Sequence, residues 1–198
     1  MSIVVEHEKR RREILEKALD VFMEEGFEDV TFQKIADRCG ITRTTLYIYF
    51  KNKREIFNFS IKQMLLGLEN DIIRIRKEKF HLHAEQLILV MKVIIERLEE
   101  NRRLLSVVLN YLFYVTKSDI DPDYRVRRRT VRMRHILSTM IIEGIKAGEF
   151  SKSINVKDAN EILYGVLEAA VFRLTVLRRS SVDELKEAMQ ITIRNFAS

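Results

Sequence analysis

Apolar residues along this chain recur at the three- and four-residue spacing of helices. Ile14, Leu15, Ala18, Leu19 and Phe22 form the stripe of a first helix, predicted from about Glu6 to Glu25. Gly26 stands where a left-handed cap is wanted, and Phe27 follows as its hydrophobic contact. Thr31 caps a short helix to Cys39, with Phe32, Ile35 and Ala36 facing inward. Gly40 and Ile41 make a tight turn, and Thr42 caps a third helix to about Phe50. Asn52 to Glu55 reads as a capping box opening a long helix to about Lys77. Two helices follow near 83–99 and 102–117. Asp121-Pro122 opens another, to about Ala147. Asn155 caps one running to about Arg178, and Ser181 to Glu184 reads as a capping box for the last, to about Phe196. The expectation is an all-α chain of nine helices with no internal repeat.

Composition narrows this picture. One Pro and six Gly among 198 residues suit long helices and disfavour a turn-rich β fold. The single cysteine, Cys39, excludes an internal disulfide and fits a reducing cytoplasm. No apolar run reaches the ~18–20 residues of a membrane span, and the N-terminus is too short an apolar stretch for a signal peptide. The net charge is +6, and its placement matters more than its total. Residues 1–58 hold 11 Lys/Arg and 11 Asp/Glu, but within 31–54 six cations (Lys34, Arg38, Arg43, Lys51, Lys53, Arg54) face one acid, Asp37. A basic side of this kind is the expected footprint for a polyanion.

The stretch from Val30 to Phe57 carries the chemistry. Two short helices joined at Gly40 have the dimensions of a helix-turn-helix, whose second helix can enter a DNA major groove. Along that helix Ile41, Leu46 and Phe50 point to a small core, while Arg43, Thr44, Tyr47 and Ile48 lie opposite. Arg43 suits a guanine edge and Ile48 a thymine methyl. The hydroxyls of Thr44, Thr45, Tyr47 and Tyr49 suit phosphates or base edges, and Lys53 is placed for a backbone phosphate. A tyrosine-rich exposed face can equally be a protein contact, and periodicity alone leaves both readings open.

The residues also resemble a known family. FxEEGFExVT at Phe22 to Thr31, IAxxxGIT at Ile35 to Thr42, and TLYxYFxNKxEIF at Thr45 to Phe57 look like the tetracycline-repressor (TetR) family. EGIKAGEF, Glu143 to Phe150, looks like that family's turn between its seventh and eighth helices. The resemblance implies a nine-helix TetR-like architecture. A three-helix DNA-binding domain at 1–52 would be followed by a helical ligand-binding and dimerisation domain at 53–198. It implies DNA contacts from Gln33, Arg43, Thr44, Thr45, Tyr47, Tyr49 and Lys53, with Thr31 and Thr42 capping helices and meeting phosphate. It further implies a homodimeric repressor on a double-stranded operator, released by a small-molecule effector, with no cofactor.

In the second domain, residues 162–177 are apolar nearly all round, so that helix needs covering on more than one side. Its own domain can supply the cover. So can a second copy, with Gly165, Ala169, Phe172, Met189, Ile193 and Phe196 at the contact. By resemblance an effector, anionic or apolar, would lie among Met64, Met91, Asn110, Tyr111, Tyr114, His135 and Met140; each is also an ordinary core candidate. Arg125, Arg127, Arg128, Arg129, Arg132 and Arg134 fall within ten residues. They read either as a solvated face or as guanidinium forks for an anionic effector such as an acyl-coenzyme A. No metal-ligand spacing, phosphate loop or nucleophile motif stands out, so no enzymatic activity and no metal are expected.

Overall fold

The computed structural model describes residues 2–117 and 124–197, with the side chains of 2–4, 114–117 and 124–130 left aside. The expected Asp121-Pro122 cap and the side chains of Tyr114, Arg125, Arg127, Arg128 and Arg129 lie outside the described residues. Among the described residues there are nine helices and no strand: α1 (Ser2–Glu25), α2 (Phe32–Cys39), α3 (Arg43–Tyr49), α4 (Lys53–Lys77), α5 (His83–Glu100), α6 (Arg102–Lys117), α7 (Tyr124–Lys146), α8 (Val156–Thr175) and α9 (Asp183–Arg194). None of them is long and apolar enough to cross a membrane.

The chain divides into two compact units, Met1–Leu66 with Arg103–Ile120, and Gly67–Arg102 with Asp121–Ser198. In the first unit, Ile14, Ala18, Val21 and Phe22 of α1 bury against Ile35 and Ala36 of α2, Leu46 of α3 and Ile56 and Phe57 of α4. Leu104 and Val107 of α6 close the same core. Phe22, Phe27, Phe57 and Tyr111 meet ring to ring, with centroids 4.9–6.1 Å apart. Arg11 lies over the rings of Phe50 and Phe59, fastening the start of α1 to the end of α3.

The second unit is built on α5. Leu87, Val90, Met91, Ile94 and Ile95 are buried on it, against Leu137, Met140 and Ile141 of α7, Leu163, Leu167 and Ala170 of α8, and Met189 and Ile193 of α9. Two helix starts take their caps from residues distant in the chain. Helix α5 has no side-chain cap of its own; Glu149, from the turn after α7, accepts the His83 and Ala84 N–H groups at 2.5 and 2.9 Å. Helix α9 has no side-chain cap either: Glu99 of α5 takes the Val182 N–H at 2.9 Å, and Ser181 turns to Asp183 instead. In both cases a carboxylate from elsewhere in the chain satisfies the free donors, and at α9 it replaces the local capping box that the sequence predicts. Helix α8 stops at Thr175, short of the expected Arg178, whose φ of +52° is incompatible with a right-handed helix.

The turn after α7 also explains its own glycine. The backbone N–H groups of Glu149 and Phe150 both donate to the Gly144 carbonyl at 3.1 Å, which lays the buried Phe150 ring on Gly144. A Cβ at Gly144 would overlap that ring. Gly144→Ala should therefore destabilise the protein by about 1–3 kcal/mol, as overpacking does. The measurement is urea unfolding followed by circular dichroism, and an unchanged midpoint would refute the packing account.

Candidate nucleic-acid interface

Three local devices set the angle between α2 and α3. Thr31 accepts the Lys34 N–H at 3.2 Å and so starts α2. Gly40 ends it at φ +67°, where its N–H reaches the carbonyls of Ala36 and Asp37; the left-handed backbone there is the reason for a glycine. Thr42 restarts the chain as α3 by accepting the Thr45 N–H at 3.0 Å, and its hydroxyl is 2.8 Å from that of Thr45.

The seven residues of α3 then divide by helical geometry. Leu46 and Phe50, the residue that caps its C-terminus, are buried. Arg43, Thr44, Tyr47 and Ile48 are exposed, with Tyr47 at 48% and Ile48 at 68%. Thr45 and Tyr49 are half-buried on the flank, where the Tyr49 ring stacks on His7 of α1 at 4.8 Å. Tyr47 is braced from two sides: Phe32 of α2 packs on its ring at 4.8 Å, and Arg43 donates to its hydroxyl at 3.0 Å. Gln33, on the exposed side of α2, donates its amide to Asp37 at 2.7 Å. An open cleft of about 880 Å³ runs between α2 and the start of α3, lined by Gln33, Asp37, Gly40, Thr42, Arg43 and Thr45 among others.

The basic residues of 31–54 are not all on this face. Lys34 and Arg38 turn to Glu25 and Glu24 at the end of α1. Lys53 donates to the carbonyls of Phe27 and Glu28 at 2.8 and 2.7 Å and lies over the Phe27 ring, tying the start of α4 to the turn between α1 and α2. Lys51 and Arg54 are exposed. The acids of α1 and the bases of α2 thus meet each other, a pairing that net charge along the sequence does not reveal. Sequence reasoning also missed the supports given by His7, Phe32 and Asp37. Spacing puts Phe32 on the inward face, and only its contact with Tyr47 shows that it also braces the exposed one.

The other expected residues divide between the two units. Met64 and Tyr111 pack against the first core, and Asn110 is exposed on α6. Met91 and Met140 are buried in the second core, and His135 is exposed on α7. Gly165, Ala169 and Phe172 follow one side of α8, with Phe172 exposed. Met189, Ile193 and Phe196 are buried in their own unit, while Ile191 faces outward. Arg132 pairs with Glu69 at 2.8 Å; Arg134 pairs with Glu161 and lies 4.0 Å over the Tyr164 ring. Among the described residues no three His, Cys, Asp or Glu side chains gather as a metal site.

A capped helix pair that exposes Arg, Thr, Tyr and Ile from its second member has the build of a helix-turn-helix. Residues 14–58 match the family model described as bacterial regulatory proteins, tetR family. The fatty acid metabolism regulator protein of Bacillus subtilis (strain 168) is 28% identical over 163 residues, 80% of this chain and 80% of that one. The HTH-type transcriptional regulator SrpR of Pseudomonas putida is 35% identical over 66 residues, 33% of this chain and 31% of its own length. The fold is shared with the ketosteroid transcriptional regulator KstR2 of Mycobacterium tuberculosis, with a TM-score of 0.75 and 19% identity over 96% of this chain and 95% of that one. It is also shared with the fatty acid degradation regulator FadR of Bacillus halodurans, with a TM-score of 0.65 and 18% identity over 94% of each chain. Residues 14–58 thus carry a TetR-type DNA-binding segment, in a chain whose fold is shared with transcriptional regulators.

The pair of Arg38 and Glu24 makes a pH-dependent contribution. The hydrogen bond from Arg38, more than its charge, holds the Glu24 carboxyl below the usual carboxylate range. A carboxyl lowered in the folded state stabilises above its unfolded value and loses that contribution as pH falls through the folded value. Replacing Glu24 with Gln should lower the melting temperature at neutral pH, and the gap to the parent should close below about pH 4. A gap that is independent of pH would mean the pair contributes nothing through ionisation.

Proposed function

We propose that this chain is a homodimeric repressor, acting in the cytoplasm by binding alone. It reads a two-fold operator with α3 and releases it when the helical part of the chain takes up a small-molecule effector. The observation that carries the reading is the exposed set Arg43, Thr44, Tyr47 and Ile48 on a helix whose opposite side is buried. Arg43 offers a fork to a guanine edge, Ile48 a methyl contact to thymine, and Thr44 and Tyr47 hydroxyls to base edges or phosphate. Gln33 adds an amide from α2. Thr31 and Thr42 stand at two helix starts whose free N–H groups suit phosphate, and Thr45, Tyr49 and the remaining N–H of Lys53 flank them.

The second copy is supported by α8. Ile162 and Phe172 are 53% and 52% exposed, and with Gly165, Ala169 and the exposed Val176 they follow one line at helical spacing. A Cβ at Gly165 would meet nothing in its own chain, so there is room for close approach of another helix. The outward Ile191 of α9 adds to the apolar surface. A two-fold pairing through this line presents two reading heads to half-sites ~34–36 Å apart. Phe172→Glu should convert a particle of twice 23.5 kDa into one of 23.5 kDa in sedimentation velocity. A variant that stays double would move the contact elsewhere.

The effector class is supported by relatives named for fatty acid metabolism and degradation. We assign an acyl chain with an anionic head, such as an acyl-coenzyme A. Release follows from linkage: an effector that prefers a shape unsuited to the operator lowers DNA affinity by its differential affinity. The experiment is selection of a duplex from a random library, then fluorescence anisotropy of the selected site. Arg43→Ala and Tyr47→Ala should each cost about 1–3 kcal/mol, roughly 5- to 150-fold in affinity, and parental binding should fall steeply with salt. Palmitoyl-coenzyme A should release the parent complex. Full binding by both variants would overturn the reading face; release by no acyl ligand would overturn the effector class alone.

A further inference from the structure

One carboxylate stands on the face offered to a polyanion. Of the α2 side chains, Lys34 and Arg38 turn away to Glu25 and Glu24, while Asp37 lines the cleft with Gln33, Thr42 and Arg43. Among the described residues Asp37 is in no ion pair. Its one side-chain bond is from the Gln33 amide, 2.7 Å away, and the Arg43 guanidinium in the same cleft donates to Tyr47 instead. An unpaired carboxylate beside DNA phosphate is repelled, with interactions weakly screened at this range. It is tolerated where the groups facing it are donors.

The major groove supplies two such donors, the exocyclic amino groups of cytosine N4 and adenine N6; guanine O6 and thymine O4 are acceptors. An amide free in solution can present either end. With one Gln33 N–H held by Asp37, the amide is fixed end for end, its oxygen is left for another donor, and among the described residues the second oxygen of Asp37 has no hydrogen-bond partner. We propose that Asp37 is a specificity-determining positioning residue. It fixes the Gln33 amide so that the pair reads an amino-bearing base, adenine or cytosine, in each half-site, and its charge disfavours binding to phosphate alone. This rests on the assignment of α2 and α3 as the DNA-reading pair and adds a residue and a base class to it.

The test is library selection with the parent and with Asp37→Asn, Asp37→Glu and Gln33→Ala, each checked for folding by circular dichroism. Every selected pool is sequenced, and each protein's affinity for the selected site is compared with that for random duplex. The parent should show one position per half-site restricted to adenine or cytosine on one strand. Asp37→Asn frees the amide to turn and should admit guanine or thymine at that position only, while affinity for random duplex rises a few-fold. Gln33→Ala should lose preference at the same position, and the double variant should be no worse than Gln33→Ala alone. Asp37→Glu, which keeps the charge and an acceptor, should restore the restriction in part. A merely structural Asp37 would lower all affinities together and leave base preference unchanged; that result overturns the proposal while the reading head stands. A parent that selects no sequence overturns both.

Discussion

A helix of seven residues has little stability of its own in water, because nucleation costs more than so few hydrogen bonds return. Helix α3 exists because Leu46 and Phe50 are buried in a core assembled from α1, α2, α4 and α6. That constraint organises the first unit. Burying one side of so short a helix orients its other side rigidly, and the opposite side is where Arg43, Thr44, Tyr47 and Ile48 stand. Each device around it serves the same end: Thr42 starts the helix, Gly40 turns the chain into it, and Arg11 clasps Phe50 near its end.

Charge plays a different part from the one its distribution along the chain suggests. The cations of α2 hold α2 to α1, and Lys53 holds α4 to the preceding turn. Exposed pairs of this kind add little stability singly, but they leave the reading face with Arg43 and Asp37 as its charged members. On the proposed reading, a face so sparsely charged serves base selection more than general attraction. On the same reading, general attraction to phosphate, and with it the salt dependence, belongs to the exposed Lys51 and Arg54 and to helix starts.

The second unit is held by apolar burial around α5 and stitched by carboxylates that reach across helices, Glu149 to the start of α5 and Glu99 to Val182. At the second of these points a local sequence signal misled. Ser181 to Glu184 has the spelling of a capping box, yet Glu99 takes the Val182 N–H and Ser181 turns to Asp183. The motif ending in Phe150 was legible as a family turn, whereas its reason, an aromatic ring lying on Gly144, needed both residues in place.

Periodicity and turn chemistry by themselves determined the helices, their order, most of their ends and which side of α3 is apolar. These are local properties, set by spacing of 3.6 residues per turn and by caps within four residues of each other. The density of matching residues from Phe22 to Phe57 carried the resemblance that the family model matches at residues 14–58. What only the tertiary structure decided are pairings between residues far apart in the chain. It turned Lys34 and Arg38 to α1, seated Phe32 on Tyr47, and put Met189 and Ile193 in the core while Ile191 stayed outside. Among the described residues it also left Asp37 without a cation. Such outcomes depend on which partner arrives within a few ångströms once the helices pack, and spacing along one helix holds no record of that.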